Sequence, residues 1–147
     1  MTILRVLTST IASWFCTQQE VINTYDNTIA YTDHILGRVI DTLKAQADRY
    51  NTVMVYVSDH GESTGEHGLY LHGAPYLFAP SQQTHVPMVM WISPAFAQQG
   101  SPVSCLREQA QQPQSHDTIF HSFLGLLDVK TSTYKAALDW SAACRKR

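Results

Sequence analysis

The sequence predicts an α/β fold, on three observations. One long stretch carries apolar residues at helical spacing, two short runs are continuously apolar and β-branched, and a second helical stretch follows them. The first helix opens at Thr17-Gln18-Gln19-Glu20, a capping box in which the threonine and the glutamate can each satisfy a free backbone N–H. Val21, Ile22, Tyr25, Ile29, Ile35, Leu36, Val39, Ile40 and Leu43 then recur at steps of three and four, predicting an amphipathic helix to about Arg49.

Asn51 ends that pattern. Thr52–Val57 is an unbroken apolar, β-branched run, the signature of a strand covered on both faces in a parallel sheet. Met88–Ile92 is a second such run, with Pro87 at its entry, where a missing backbone donor is tolerated. Met88 and Trp91 are expected in the core. The segment 59–85 between the strands holds Gly61, Gly65, Gly68, Gly73, Pro75, Pro80 and four histidines. A connection of that length inside a compact domain is functional or disordered, and Tyr70, Tyr76 and Phe78 favour order. Residues 94–114, rich in Gln, Ser and Pro, read as a surface loop. Ser115 then caps a helix through Ile119, Phe120, Phe123, Leu124 and Leu127, and a short helical segment is expected around Ala136–Ala143.

The 147 residues suit one domain or a sizeable piece of a larger one. With 44% hydrophobic residues, 15% charged residues and a net charge of −2, the chain is neither a solvated tail nor a nucleic-acid binder. Its basic run, Arg145-Lys146-Arg147, is that of a solvated terminus. The longest apolar stretches, such as Val86–Ile92, are too short to span a bilayer, which takes about 20 residues. Residues 1–15 resemble a signal peptide superficially, but Arg5 sits inside the apolar part and hydroxyl residues interrupt it; a buried strand or a mis-joined start fits as well. Cys16, Cys105 and Cys144 are three buried thiols or, in an oxidising compartment, a Cys105–Cys144 bridge with Cys16 left single.

The chemistry concentrates at Ser58-Asp59-His60-Gly61-Glu62-Ser63, on the C-terminal end of the first strand, where open α/β sheets place ligands. Neighbouring strand residues face opposite ways, so Asp59 and His60 share a ligand only if the chain turns there, and Gly61 permits the turn. A carboxylate beside an imidazole suits zinc. Asp-His-Gly alone is more simply a hydrogen-bonded strand-end turn; the downstream sequence shifts the balance. His72, between glycine-rich turns, can swing back over the strand end to bind a second cation or a phosphoryl oxygen, or to protonate a leaving group; a loop-anchoring role is its alternative. Glu62 would orient a ligand imidazole or stand as a solvated carboxylate. His67 and His85 read as turn or packing residues, His34 as a surface or interface residue, and His116 and His121 as structural.

Several segments together carry a further likeness: Val21–Asp33, Tyr56–Ser63, Tyr70–Pro75, Gln83–Trp91, Ser115–His121 and Leu126–Ser132. Through them residues 16–147 resemble the C-terminal part of the catalytic domain of the lipid A phosphoethanolamine transferases, while residues 1–15 stand apart as an atypical segment. The resemblance implies a partial alkaline-phosphatase-like sandwich, a mostly parallel sheet flanked by helices, on the periplasmic face of the bacterial inner membrane. It implies Zn2+ held by Asp59 and His60, with His72 facing the phosphoethanolamine group or a second zinc. A threonine nucleophile would take the group from phosphatidylethanolamine and pass it to lipid A, lowering surface charge and giving polymyxin resistance. A monomer is expected.

The family's threonine, its glutamate ligand, a further substrate histidine and its membrane helices would precede this segment. Thr8 and Thr10 have no nucleophile-like surroundings, so an inactive fragment is expected, with poor stability in isolation. His67 stands where asparagine is usual. Two alternatives are another hydrolase of the superfamily, a sulfatase or phosphodiesterase, and a non-catalytic metal-binding remnant.

Overall fold

The computed structural model describes residues 16–98 and 102–145; the signal-like opening with Thr8 and Thr10, and the last two basic residues, lie outside them. Its elements are α1 (Gln18–Lys44), β1 (Val53–Val57), β2 (Ser63–Thr64), β3 (Tyr70–Leu71), α2 (Ser81–Thr84), β4 (Met88–Ile92), α3 (Pro94–Gln98), α4 (Val103–Gln109) and α5 (Asp117–Leu126). The α/β class stands. Two short sheets are present, β1 with β4 and β2 with β3. Ser58 N bonds Pro87 O and Ser93 N bonds Thr52 O, so β1 and β4 run antiparallel, as do β2 and β3. No parallel pair occurs among the described residues. Unbroken apolar runs signal burial, and burial says nothing of strand direction.

The chain divides into two compact units, one of α1 up to Asp41 with Val55–Val89, the other of Thr42–Met54 with Met90–Arg147. In the first, the capping box forms as expected: Glu20 Oε2 accepts from Thr17 N at 2.7 Å, and Glu20 N donates to Thr17 Oγ1 at 3.3 Å. The helix stops at Lys44 rather than Arg49, and residues 45–49 tighten into turns, Ala47 N bonding Lys44 O and Arg49 N bonding Gln46 O. The predicted apolar stripe is present, but none of its residues is buried; Ile29, Ile35 and Val39 stand 40–51% exposed. Gly65 (φ 128°) packs against the Gln18 side chain, where a Cβ would collide.

In the second unit, residues 94–114 are not the expected loop. Pro94 begins α3 and Pro102 precedes α4, positions where a missing N–H costs nothing. Leu106 is buried and Cys105 is bonded to Cys144, so two residues, Cys105 and Leu106, hold a short helix that the surrounding Gln and Ser obscure. The segment around Ala136–Ala143 forms two 3-10 turns, Ala136–Leu138 and Ala142–Cys144. α5 packs on the first of these and α4 on the second. The helix after Ser115 starts at Asp117, whose N–H is accepted by Ser115 Oγ at 3.3 Å.

The buried carboxylate of Asp139 ties this unit together. Its Oδ1 accepts from Ser141 N at 2.8 Å and Ser141 Oγ at 2.7 Å; its Oδ2 accepts from Tyr134 Oη at 2.7 Å and from Arg145. Burial, reinforced by that carboxylate, pushes the Tyr134 phenol up. Gly125 fits beneath Asp139 and Arg145 because it has no Cβ. His121 is buried and accepts from Lys135 N at 3.2 Å, the structural role expected of it. The buried hydrophobic residues are Met54, Leu106 and Cys144 among those described. Met88 and Trp91 are half-buried, since a two-stranded sheet offers little cover.

The Cys105–Cys144 disulfide closes a separation of 39 residues. By the chain-entropy relation it contributes about 4 kcal/mol. Replacing both cysteines with serine is therefore expected to lower the unfolding free energy by about that amount, read by urea denaturation beside the oxidised parent.

Candidate metal centre

Strand β1 ends at Val57, and the chain turns at once. Ser58 Oγ donates to His60 O at 2.7 Å, and His60 N donates to Asp59 Oδ1 at 3.1 Å. This is the turn that Asp59 and His60 need if they are to face one side. Gly61 then passes so close to Gln82 that any Cβ would strike its carbonyl, and Gly61 N donates to Gln83 O at 2.9 Å. Asp59 Oδ2 comes to 3.8 Å from His60 Nε2. Two donors on one tetrahedral zinc stand roughly 3.3–3.5 Å apart at ordinary bond lengths, so this pair is close to a bidentate arrangement.

The hairpin β2–β3 supplies the rest. Its register pairs Ser63 with Leu71 and Thr64 with Tyr70. One step further along, Glu62 lies opposite His72. His72 Nδ1 stands 3.1 Å from each oxygen of the Glu62 carboxylate. His60 Nδ1 stands 2.9 Å from Gly61 O. Both partners are acceptors, so Nδ1 is the donating nitrogen of each ring, and in the neutral ring Nε2 is the one that presents a lone pair. The two rings lie against each other, centroids 4.0 Å apart and planes tilted by 35°. Leu71 adopts a left-handed φ of 66°, unusual for leucine, immediately before His72.

His60, Glu62 and His72 each offer a ligand atom within 4.8 Å of the others, the cluster among the described residues that could hold a metal ion. The nitrogen and carboxylate donors, with both tautomers fixed, fit zinc. Glu62 is mostly covered, its side chain 24% exposed, while Asp59 is 90% exposed and open to an incoming ion. The backbone N–H of His60 holds the Asp59 carboxyl below its usual range, with the His60 imidazole adding to this. The arrangement offers two things: a carboxylate–imidazole donor pair, and a second imidazole backed by its own carboxylate, able to hold or pass a proton at Nε2.

The four residues singled out in the sequence thus fall in one segment. His67, at φ 54° in a 3-10 turn, and His85, at the end of α2, stand outside the cluster, as does His34 on α1. Sequence reasoning missed two supports. Gln83 is buried and donates to the buried Ser63 Oγ at 2.7 Å, and nothing in Gln82-Gln83-Thr84 announces it. Glu66 accepts from Thr64 N at 2.7 Å and Thr64 Oγ1 at 3.1 Å; a glutamate two residues after a threonine at a Gly turn was the available signal.

Comparison with known proteins gives the family. The family model described as Sulfatase matches residues 8–129, and the chain belongs to that family. It is 46% identical over 133 residues to phosphoethanolamine transferase EptA of Escherichia coli K12, covering 89% of this chain and 24% of the relative. The soluble domain of lipooligosaccharide phosphoethanolamine transferase A from Neisseria meningitidis superposes with a TM-score of 0.85 at 49% identity, over 90% of this chain and 40% of that one. The C-terminal periplasmic domain of EptC from Campylobacter jejuni gives 0.76 at 42% identity, over 85% and 39%. The chain therefore spans about a quarter of the length of its curated relative, and the alkaline-phosphatase-like α/β architecture is that of its structural neighbours.

Hydrogen bonds from backbone N–H groups, its own and that of Thr64 among them, hold the Glu66 carboxyl below the ordinary value of 4.5. A depressed carboxyl stabilises the fold fully above the unfolded value and loses that contribution as pH falls through the folded one. The stability difference between the parent and Glu66→Gln should be constant from neutral pH to about 4.5 and shrink below it, read by thermal unfolding across pH.

Proposed function

We propose that residues 16–147 are the C-terminal part of the catalytic domain of a phosphoethanolamine transferase, and that they contribute half of its metal site. The observation that carries the reading is the Asp59–His60 donor pair beside a His72 held by Glu62. Asp59 and His60 would hold the zinc ion, with Glu62 orienting His72 rather than ligating. When bound, zinc supplies charge stabilisation to a phosphoryl group and acidifies a hydroxyl nucleophile.

The chain's own residues do the rest. Gly61 O fixes the His60 tautomer so that Nε2 faces outward. Glu62 keeps the proton of His72 on Nδ1, and Nε2 of His72 is then free to meet a phosphoryl oxygen or the departing group. The substrates we assign are phosphatidylethanolamine as donor and lipid A as acceptor, with loss of surface negative charge and polymyxin resistance as the consequence. The Neisseria neighbour's name, which specifies lipooligosaccharide, supports an acceptor of that class.

A site on the periplasmic face of the inner membrane accords with the Campylobacter neighbour and with the Cys105–Cys144 disulfide, a bond of oxidising compartments. Among the described residues, no helix is long and apolar enough to cross a membrane. A monomer is expected.

Calorimetric zinc titration tests this. Asp59→Ala and His60→Ala should each abolish binding, while Glu62→Gln, which loses only the partner of His72, should leave it close to the parent's. Binding untouched by Asp59→Ala but abolished by Glu62→Gln would contradict the assignment and place the ion on the His60–Glu62–His72 cluster.

A further inference from the structure

We propose that Gln83 is a positioning residue for this metal site, an inference that rests on the reading of Asp59, His60 and His72 given above. Gln83 touches none of the donor atoms. It holds the segment between them at two points. Its backbone carbonyl accepts from Gly61 N at 2.9 Å, and its side-chain Nε2 donates to Ser63 Oγ at 2.7 Å. These bonds flank Glu62 on either side. Alternation along the extended chain sends the side chain of Ser63 toward Gln83 and that of Glu62 the opposite way, toward His72.

Both ends of the side-chain bond are buried, Ser63 at 1% and Gln83 at 7% exposure, and water does not compete for them. The close approach of Gln82 to Gly61 leaves the segment no room to shift toward α2. The two bonds thus set the two contacts that fix the imidazoles, the backbone bond that of His60 and the side-chain bond that of His72. Gly61 O, which holds His60 Nδ1, belongs to the residue anchored by the backbone bond. Glu62, which holds His72 Nδ1, follows it. Removing the Gln83 amide frees Ser63, lets Glu62 move off His72, and leaves that ring free to exchange tautomers.

The test compares the parent chain with Gln83→Ala and Ser63→Ala by three measurements: zinc affinity by calorimetry, imidazole nitrogen NMR of the metal-free protein at fixed mildly alkaline pH, and thermal unfolding. The expected result is a zinc affinity close to the parent's in both variants, since both keep the backbone bond from Gly61 N to Gln83 O and every contact of Asp59 and His60. It comes with His72 changing from a single Nδ1–H tautomer to a mixture. Ser63→Ala removes only the hydroxyl acceptor, and it keeps the proposal testable if Gln83→Ala does not fold. Variants that melt earlier yet keep the parent's imidazole spectrum would overturn the proposal, since Gln83 would then be structural alone. If the parent itself binds no zinc, the metal reading fails separately. The NMR then decides: altered His72 tautomers uphold the positioning role, and unchanged ones remove it.

Discussion

The passage of Gly61 against the Gln82–Gln83 backbone is the constraint on which the site depends. A side chain at position 61 would occupy the space of the Gln82 carbonyl. With glycine there, the chain leaves β1, turns within two residues, and brings Asp59 and His60 to one side, which an extended strand forbids. The same approach delivers Gly61 N to Gln83 O and leaves Gly61 O for His60. A single missing methyl group therefore sets the approach of Asp59 to His60, the partner of one imidazole and the start of the β2–β3 hairpin.

The hairpin converts that local turn into a site. Its register is short, two residue pairs, yet it places Glu62 opposite His72 across ten residues of sequence. Gly68 and Gly73, both in the left-handed region, and the strained Leu71 bend the return strand sharply enough to lay His72 against His60. Strain beside a functional group is tolerated when surrounding bonds over-determine it. The buried Gln83–Ser63 bond and the Glu66–Thr64 bonds serve that purpose here.

Much of this was legible in the sequence, for identifiable reasons. The capping box and the helical period of α1 are local signals, and both strands follow from apolar runs. Asp59, His60 and His72 stand out because carboxylate and imidazole cluster among glycines at a strand end. The antiparallel sense of β1 and β4 was not legible, because residue type does not encode direction. Helix α4 was hidden by the Gln, Ser and Pro around it, and Gln83 by the resemblance of a buried amide to an exposed one. Half-burial of Met88 and Trp91, and the uncovered stripe of α1, depend on what packs against them, which no local pattern reports. The second unit shows the same limit: no local pattern singles out Asp139, and only the fold reveals it as the buried partner of Tyr134, Ser141 and Arg145.

The central claim is that Asp59 and His60 are the donors of one metal ion. Anomalous diffraction at the zinc edge from crystals of the zinc-loaded protein tests it most directly. The account predicts a peak within about 2.0–2.2 Å of both a carboxylate oxygen of Asp59 and Nε2 of His60, with Glu62 still on Nδ1 of His72. A peak on Glu62 in place of Asp59, or no zinc peak near His60, would contradict it.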